Sequence, residues 1–76
     1  MLKGNVMELS AIQTRLRESI KNSGIPQKII AKELGVSPQT ISKYMKQDIF
    51  PALDTLAKLC KLLDVSADYI LGIDKY

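Results

Sequence analysis

The spacing of apolar residues near the N-terminus predicts an amphipathic helix over about Glu8–Ser23. Leucine and isoleucine recur there at intervals that place one apolar stripe on one face of a helix: Leu9, Ile12, Leu16 and Ile20. The basic side chains of the segment are expected to face water: Arg15, Arg17 and Lys21. We expect either Asn5 with Glu8 or Ser10 with Gln13 to form a capping box at its start.

Two shorter amphipathic segments follow, separated by a tight turn. The first covers Gln27–Leu34, and three of its residues share one apolar face: Ile30, Ala31 and Leu34. Gly35 suits the left-handed position that ends a helix, and Ser37 can cap a new helix over about Pro38–Lys46. Two helices joined by a glycine-containing turn form a helix-turn-helix, whose second helix can lie in the major groove of DNA.

The second helix of this pair is predicted to have one buried and one polar face. Ile41 is expected to be buried together with either Tyr44 or Met45. The remaining side chains are left on the outer face: Pro38, Gln39, Thr40, Lys43 and Lys46. The amide of Gln39 can bond adenine bidentately, and Lys43, one turn further on, can donate to guanine. The alternative for each polar residue is an ordinary solvated side chain.

The rest of the chain predicts two more helices. The segment Leu53–Leu63 carries four inward positions: Leu56, Leu59, Cys60 and Leu63. Ser66 can cap a last short helix that Gly72 ends. The expected fold class is therefore all-α, with a helix-turn-helix domain over residues 8–72, a flexible N-terminal segment 1–7 and a C-terminal tail 73–76.

Composition and charge narrow the possible functions. The 76 residues suit one small domain, and with no histidine and one cysteine we expect no catalytic residues, metal or cofactor. No membrane span of about 18 apolar residues and no secretory signal is visible, so a cytoplasmic location is expected. No small-molecule ligand is evident.

The charge is unevenly distributed along the chain. Residues 1–46 hold eight Lys and Arg against three Glu, a net charge of +5, whereas residues 47–76 hold three Lys against five Asp, a net charge of −2. A basic half that contains the two-helix motif suits a polyanion such as double-stranded DNA. An excess of this size is equally compatible with an ordinary solvated helical surface.

The stretch QKIIAKELGVSPQTISKYMK, residues 27–46, resembles the helix-turn-helix of the Cro/CI-repressor-type family, also called lambda-repressor-like or XRE. The family pattern, Gln-x-x-x-Ala-x-x-x-Gly-Val-Ser-x-x-x-Ile-Ser, is matched at Gln27, Ala31, Gly35, Val36, Ser37, Ile41 and Ser42. The similarity extends over about Leu9 to Gly72. It implies a compact five-helix domain in which helices 2 and 3 form the helix-turn-helix. It also implies a sequence-specific transcriptional repressor that binds a near-palindromic operator as a homodimer.

The resemblance assigns roles to individual residues. Base contacts fall on Pro38, Gln39 and Lys43, and phosphate contacts fall on Gln27, Thr40 and Lys46. The loop after the second motif helix departs from the pattern, because relatives often have glycine and basic residues where this chain has Gln47, Asp48, Ile49 and Phe50.

Two further departures concern packing and capping. Pro26 stands where the family usually has a Ser or Thr cap, so helix 2 is expected to begin without a capping hydroxyl. Ile20 and Met45 stand where the family commonly has a buried Arg–Glu pair. Since replacing such a pair as a whole by apolar residues is often neutral or stabilising, we expect these two side chains to touch.

Apolar residues near the C-terminal half predict an interface. A homodimer is expected to bury some of Ile49, Phe50, Ile70, Ile73 and Tyr76, because an exposed cluster of this kind marks an interaction site. The alternative function is a protein-interaction adaptor, or an antitoxin-type partner, on the same scaffold. The acidic second half favours that alternative slightly.

Overall fold

The computed structural model describes residues 8–73, which form five helices and no strand. The helices are α1 Leu9–Asn22, α2 Gln27–Leu34, α3 Pro38–Lys46, α4 Leu53–Leu63 and α5 Ala67–Leu71. The expected all-α, five-helix fold class is confirmed, and the expected helix-turn-helix is α2, the turn and α3. The predicted segment 1–7 and residues 74–76 of the predicted tail lie outside the described residues.

The core contains at least one side chain from every helix. The largest fully buried side chains come one from each of α1 to α5: Leu16, Ile30, Ile41, Leu59 and Ile70. This arrangement follows from the apolar stripe of each helix, which can leave water only by facing the other stripes. The core therefore fixes α3 against α1 and α2, with which it makes most of its contacts.

Two details of the predicted apolar faces are settled by the packing. Tyr44, at 4% exposed, is buried together with Ile41, whereas Met45 is half-buried against the edge of the core. Leu9 was expected to belong to the buried stripe of α1, and that expectation is wrong. It lies in the first turn and remains 61% exposed.

Three of the helices end in the same left-handed geometry. Gly35, Asp64 and Gly72 follow α2, α4 and α5 with φ of 74°, 57° and 76°. At each of them two backbone amides turn back onto the last carbonyls, as in the bond from Val36 N to the Ala31 carbonyl oxygen over 3.0 Å. This Schellman arrangement satisfies carbonyls that would otherwise lack partners at a helix end.

The start of α1 differs from the predicted capping box. Glu8 precedes the helix and makes no side-chain capping bond, while Ser10 already lies inside it. Gln13 is buried and directs its amide to the Gln47 carbonyl oxygen at 3.2 Å, so the Ser10–Gln13 box is wrong. The other candidate needs Asn5, which lies outside the described residues.

Candidate nucleic-acid interface

The start of α3 is set by its own sequence. Ser37 has an extended backbone, and its Oγ accepts a hydrogen bond from Thr40 N at 3.2 Å. Pro38 takes the first helical position, where a missing N–H removes no helical hydrogen bond. The predicted cap is thus present, and it fixes where the exposed face of α3 begins.

Three of the residues predicted to contact DNA, two through bases and one through phosphate, lie together on the exposed side of α3. At about 100° per residue, Gln39, Lys43 and Lys46 fall within roughly 60° of one another around the helix axis. All three side chains are exposed, as is Pro38 at the N-terminal end. The opposite side carries Ile41 and is buried. An exposed amide, two ammonium groups and one apolar ring are therefore presented on one surface that a groove can accept.

Thr40 sits at the edge of this surface. It is half-buried, and its Oγ1 lies 3.0 Å from the Ser37 Oγ, where either hydroxyl can donate. When Ser37 donates, Thr40 keeps its own proton for an external acceptor, such as a phosphate oxygen. This geometry is compatible with the predicted phosphate contact.

Gln27 opens α2 and is exposed. Pro26 precedes it in an extended conformation, and no side chain caps the helix, as predicted from the missing hydroxyl. The first amides of an uncapped helix are available to an anion, which the helix dipole also favours. Gln27, which the resemblance assigns to a phosphate contact, thus lies at a helix start that suits a phosphate group.

The C-terminal end of α3 is held by residues that the sequence reasoning missed. Arg17, expected to face water, is half-buried, and its Nε donates to the Tyr44 carbonyl oxygen at 2.9 Å. Its Nη2 donates to the Gln47 carbonyl oxygen, also at 2.9 Å, beside the bond from Gln13. One feature of the sequence could have indicated these bonds. No glycine follows α3, so the carbonyl groups at its end need donors from elsewhere.

The other arginine of α1 has a similar bonding pattern. Arg15 was also expected to face water, but it is half-buried, and its Nε donates to the Ile70 carbonyl oxygen at 3.0 Å. Of the three basic residues of α1, Lys21 alone is exposed. Two of the positive charges counted toward DNA binding are therefore engaged by helix C-termini, where a cation is stabilised.

The predicted interface residues divide into three groups. Ile49, Phe50 and Ile73 are exposed, at 38%, 37% and 52%. Ile70 is 1% exposed and belongs to the core of a single chain, so its assignment to an interface is wrong. Tyr76 lies outside the described residues.

An apolar groove lies next to the loop that carries Phe50. Its volume is about 200 Å³, and α1, the loop, α4 and α5 line it with apolar side chains that include Leu9, Phe50 and Leu53. Leu53 is 85% exposed, although leucine is among the residue types most often buried. The exposed apolar surface thus extends beyond the residues that the sequence indicated.

Two titratable side chains have perturbed acidities that burial explains. Burial raises the pKa of the Cys60 thiol, and burial followed by the negative charge of Asp54 raises the pKa of the Tyr44 phenol. Both groups are therefore neutral near pH 7. Within residues 8–73, no group of acidic or cysteine side chains is arranged to hold a metal ion, and no helix is long and apolar enough to cross a bilayer.

Comparison with known proteins places these features in a family. The family model described as "Helix-turn-helix" matches residues 16–70. The HTH-type transcriptional regulator ImmR of Bacillus subtilis (strain 168) is 39% identical over 61 residues, 80% of this chain and 48% of its own length. The uncharacterized HTH-type transcriptional regulator YobD of the same organism is 36% identical over 59 residues, 78% of this chain and 53% of its own.

The chain spans about half the length of these relatives. No solved structure matches it at a significant level. The family match covers α2, α3 and α4 completely and parts of α1 and α5. The chain therefore belongs to the Cro/CI-like XRE family of helix-turn-helix proteins, a family of DNA-binding transcriptional regulators.

Proposed function

We propose that this chain acts in the cytoplasm as a sequence-specific repressor, which binds a near-palindromic operator as a homodimer through the major groove. The observation that carries the proposal is the exposed face of α3. Gln39, Lys43 and Lys46 share that face, while Ile41 and Tyr44 hold the opposite face in the core. Repression would follow from occupation of promoter DNA. The proposal assigns no catalytic step and no cofactor.

The chemistry of α3 divides into base reading and backbone binding. Gln39 would bond adenine through its amide, Lys43 would donate to guanine, and Pro38 would make apolar contact with a thymine methyl group. Gln27, Thr40 and Lys46 would contact phosphates, which position the protein without reading sequence. The domain assigned to this function is 8–72.

Dimerisation would supply the affinity and the symmetry of the operator. Ile49, Phe50 and Ile73 are exposed, and the apolar groove beside Phe50 adds further surface that water solvates poorly. Two recognition helices held by such an interface would read half-sites about 34 Å apart, one turn of DNA.

An adaptor or antitoxin-type partner on the same scaffold is the second candidate. It is favoured by the acidic and apolar loop, where Asp48 precedes Ile49 and Phe50, because this loop offers no positive charge to phosphate. In that case the apolar surface would bind another protein and the face of α3 would remain free.

Selection of bound sequences from a random pool of duplex DNA separates the two candidates. The repressor proposal predicts a selected motif with two related halves, whereas an adaptor would select none. Light scattering on the free protein at high micromolar concentration tests the dimer. Ile49→Ser should shift it toward monomer, while Ile29→Ser, which changes an isoleucine of similar exposure on α2, should not. A wild-type monomer would contradict the dimer.

A further inference from the structure

The recognition helix α3 ends differently from α2, α4 and α5. Gln47, the residue after it, has an extended backbone with φ of −124° and ψ of 167°. The chain therefore does not turn back over the helix end as it does at Gly35. The amide of Gln47 donates to the Lys43 carbonyl oxygen at 2.8 Å, but an extended residue cannot close the later carbonyls by the Schellman pattern.

Donors from α1 take the place of that backbone closure. Arg17 spans the end of α3 by donating to the carbonyl oxygens of Tyr44 and Gln47, each at 2.9 Å. Gln13, one turn earlier on the same helix, donates to the Gln47 oxygen at 3.2 Å. The guanidinium is planar and offers its donors in a fixed fork, and its charge is favourable at the negative end of a helix dipole.

Both helices also place apolar side chains in or against the common core, and packing of that kind has no such direction. Ile20 belongs to the core, and Met45 packs against its edge. Apolar packing holds α3 near α1, but it depends weakly on small rotations of a side chain or a helix. Hydrogen bonds weaken steeply with angle, so the bonds from Arg17 restrict the orientation of the last turn. That turn carries Lys43 and Lys46.

We propose that Arg17, assisted by Gln13, is a positioning residue for DNA reading. It holds the C-terminal turn of α3 in the orientation that aims Lys43 and Lys46 at DNA, and it touches neither base nor phosphate itself. The inference rests on the proposed function for its effect on DNA. The hydrogen bonds through which Arg17 acts can be tested without DNA.

Arg17→Met removes the donors and keeps an unbranched apolar side chain. Arg15→Met is the matched control, because it removes the same charge from the same helix but releases the Ile70 carbonyl oxygen on α5. Affinities for the selected site and a scrambled site are measured across a salt series at a temperature where all variants are folded. Arg17→Met should lose about tenfold on the selected site, as for lost charge-assisted hydrogen bonds, and clearly less on the scrambled one. Arg15→Met should weaken both DNAs alike.

Arg17→Lys separates positioning from a direct phosphate contact. Lysine keeps the charge but cannot span two carbonyl oxygens with a rigid fork. Arg17→Lys should therefore discriminate between the selected and the scrambled site as poorly as Arg17→Met, while its salt slope should equal that of the wild type. If Arg17 instead touched phosphate, Arg17→Lys would restore binding, and Arg17→Met would lower the salt slope by about 0.9 more than the control. Either of those results would overturn the proposal, as would equal loss of selectivity in Arg15→Met.

Hydrogen exchange on the free protein gives the readout that does not depend on DNA. The amide of Gln47 should lose protection in Arg17→Met, while the amide of Val36, bonded to the Ala31 carbonyl oxygen, should keep it. Arg15→Met should leave both amides protected. Unchanged protection of Gln47 would overturn the inference. If the wild-type protein selects no DNA motif, the proposed function fails, and loss of Gln47 protection would still establish that Arg17 holds the helix end.

Discussion

The hydroxyl of Ser37 accepts a hydrogen bond from the backbone amide of Thr40, 3.2 Å away, at the point where the recognition helix begins. The same two residues are joined a second time through their side-chain oxygens, 3.0 Å apart. This pair determines where α3 starts, and therefore where Pro38 and Gln39 lie relative to the turn that precedes them.

Ser37→Ala should lower the free energy of unfolding by about 1 kcal/mol, because an amide at the start of α3 loses its cap. Ser66→Ala is the matched control, since Ser66 caps α5 by accepting from the amide of Tyr69 at 3.3 Å. Urea denaturation should show similar losses for both, but only Ser37→Ala should also reduce selectivity for the preferred DNA site. A Ser37→Ala protein as stable as wild type would contradict the assigned cap.

Gly72→Ala should destabilise the domain more than Gly24→Ala. Both glycines have positive φ, +76° and +72°, so both substitutions carry the strain of a left-handed alanine, about 1–2 kcal/mol. A Cβ at Gly24 meets no atom within 4 Å, whereas one at Gly72 would collide with the Arg15 guanidinium.

The extra loss should not exceed about 1–2 kcal/mol, because the colliding Nη2 is the far end of a flexible side chain, and the most that its displacement can cost is the Arg15 Nε bond to the Ile70 carbonyl oxygen. Denaturation of each single variant and of Gly72→Ala combined with Arg15→Met measures it. Once Arg15 has been replaced, Gly72→Ala should cost about as much as Gly24→Ala alone. Equal costs for the two glycines in the wild-type background would show that Arg15 moves aside freely.

Stability should fall at alkaline pH because of Cys60. Burial raises the pKa of its thiol above the ordinary value of 9.0, so the folded protein keeps a proton that the unfolded chain releases. The stabilisation is complete below the unfolded pKa and is lost as pH rises toward the folded one. Urea unfolding between about pH 8 and 10 should show a steeper decline for wild type than for Cys60→Ala. Parallel declines would mean that the thiol ionises equally in both states.

The helices were predictable because each has a local signal. Apolar spacing outlined the first four, and α5 was indicated by Ser66 and Gly72, which like Gly35 and Ser37 mark helix ends by chemistry that acts over a few residues. Which of Tyr44 and Met45 is buried could not be predicted from the neighbouring sequence. Both positions lie near the inner side of α3, and the neighbouring helices decided that the ring is buried and the thioether remains at the edge.

Long side chains account for most of what the sequence did not predict. Arg17 bonds a carbonyl 27 residues away and Arg15 one 55 residues away, so no helical periodicity reveals either contact. Both arginines were expected in water because charge is a good local guide to exposure. Each is instead half-buried and donates to carbonyl groups at the end of another helix. Ile70 was ambiguous because a five-residue helix is too short to show an apolar stripe.

The expected contact between Ile20 and Met45 remains a prediction. A double-mutant cycle that introduces an opposite charge at each position can test it. Ile20→Arg should cost about 3–5 kcal/mol, because it places an uncompensated charge at a site only 2% exposed. Adding Met45→Glu should recover part of that loss if the two side chains touch. Ile12→Arg with Met45→Glu is the control, since Ile12 lies two turns away on α1, and it should show no recovery. Equal behaviour of the two pairs in thermal denaturation would contradict the contact.

Affinity across a salt series for the Gln39→Ala, Lys43→Ala and Lys46→Ala variants, on the selected site and a scrambled one, tests the central claim most directly. Gln39→Ala should cost about 1–3 kcal/mol on the selected site and little on scrambled DNA, because it removes a base contact and no charge. Lys46→Ala should weaken both DNAs alike and lower the salt slope by about 0.9 per subunit. Lys43→Ala should show both effects. If Gln39→Ala weakened both DNAs equally, α3 would not be the reading helix, and if none of the three variants changed binding, groove reading by this face would be excluded.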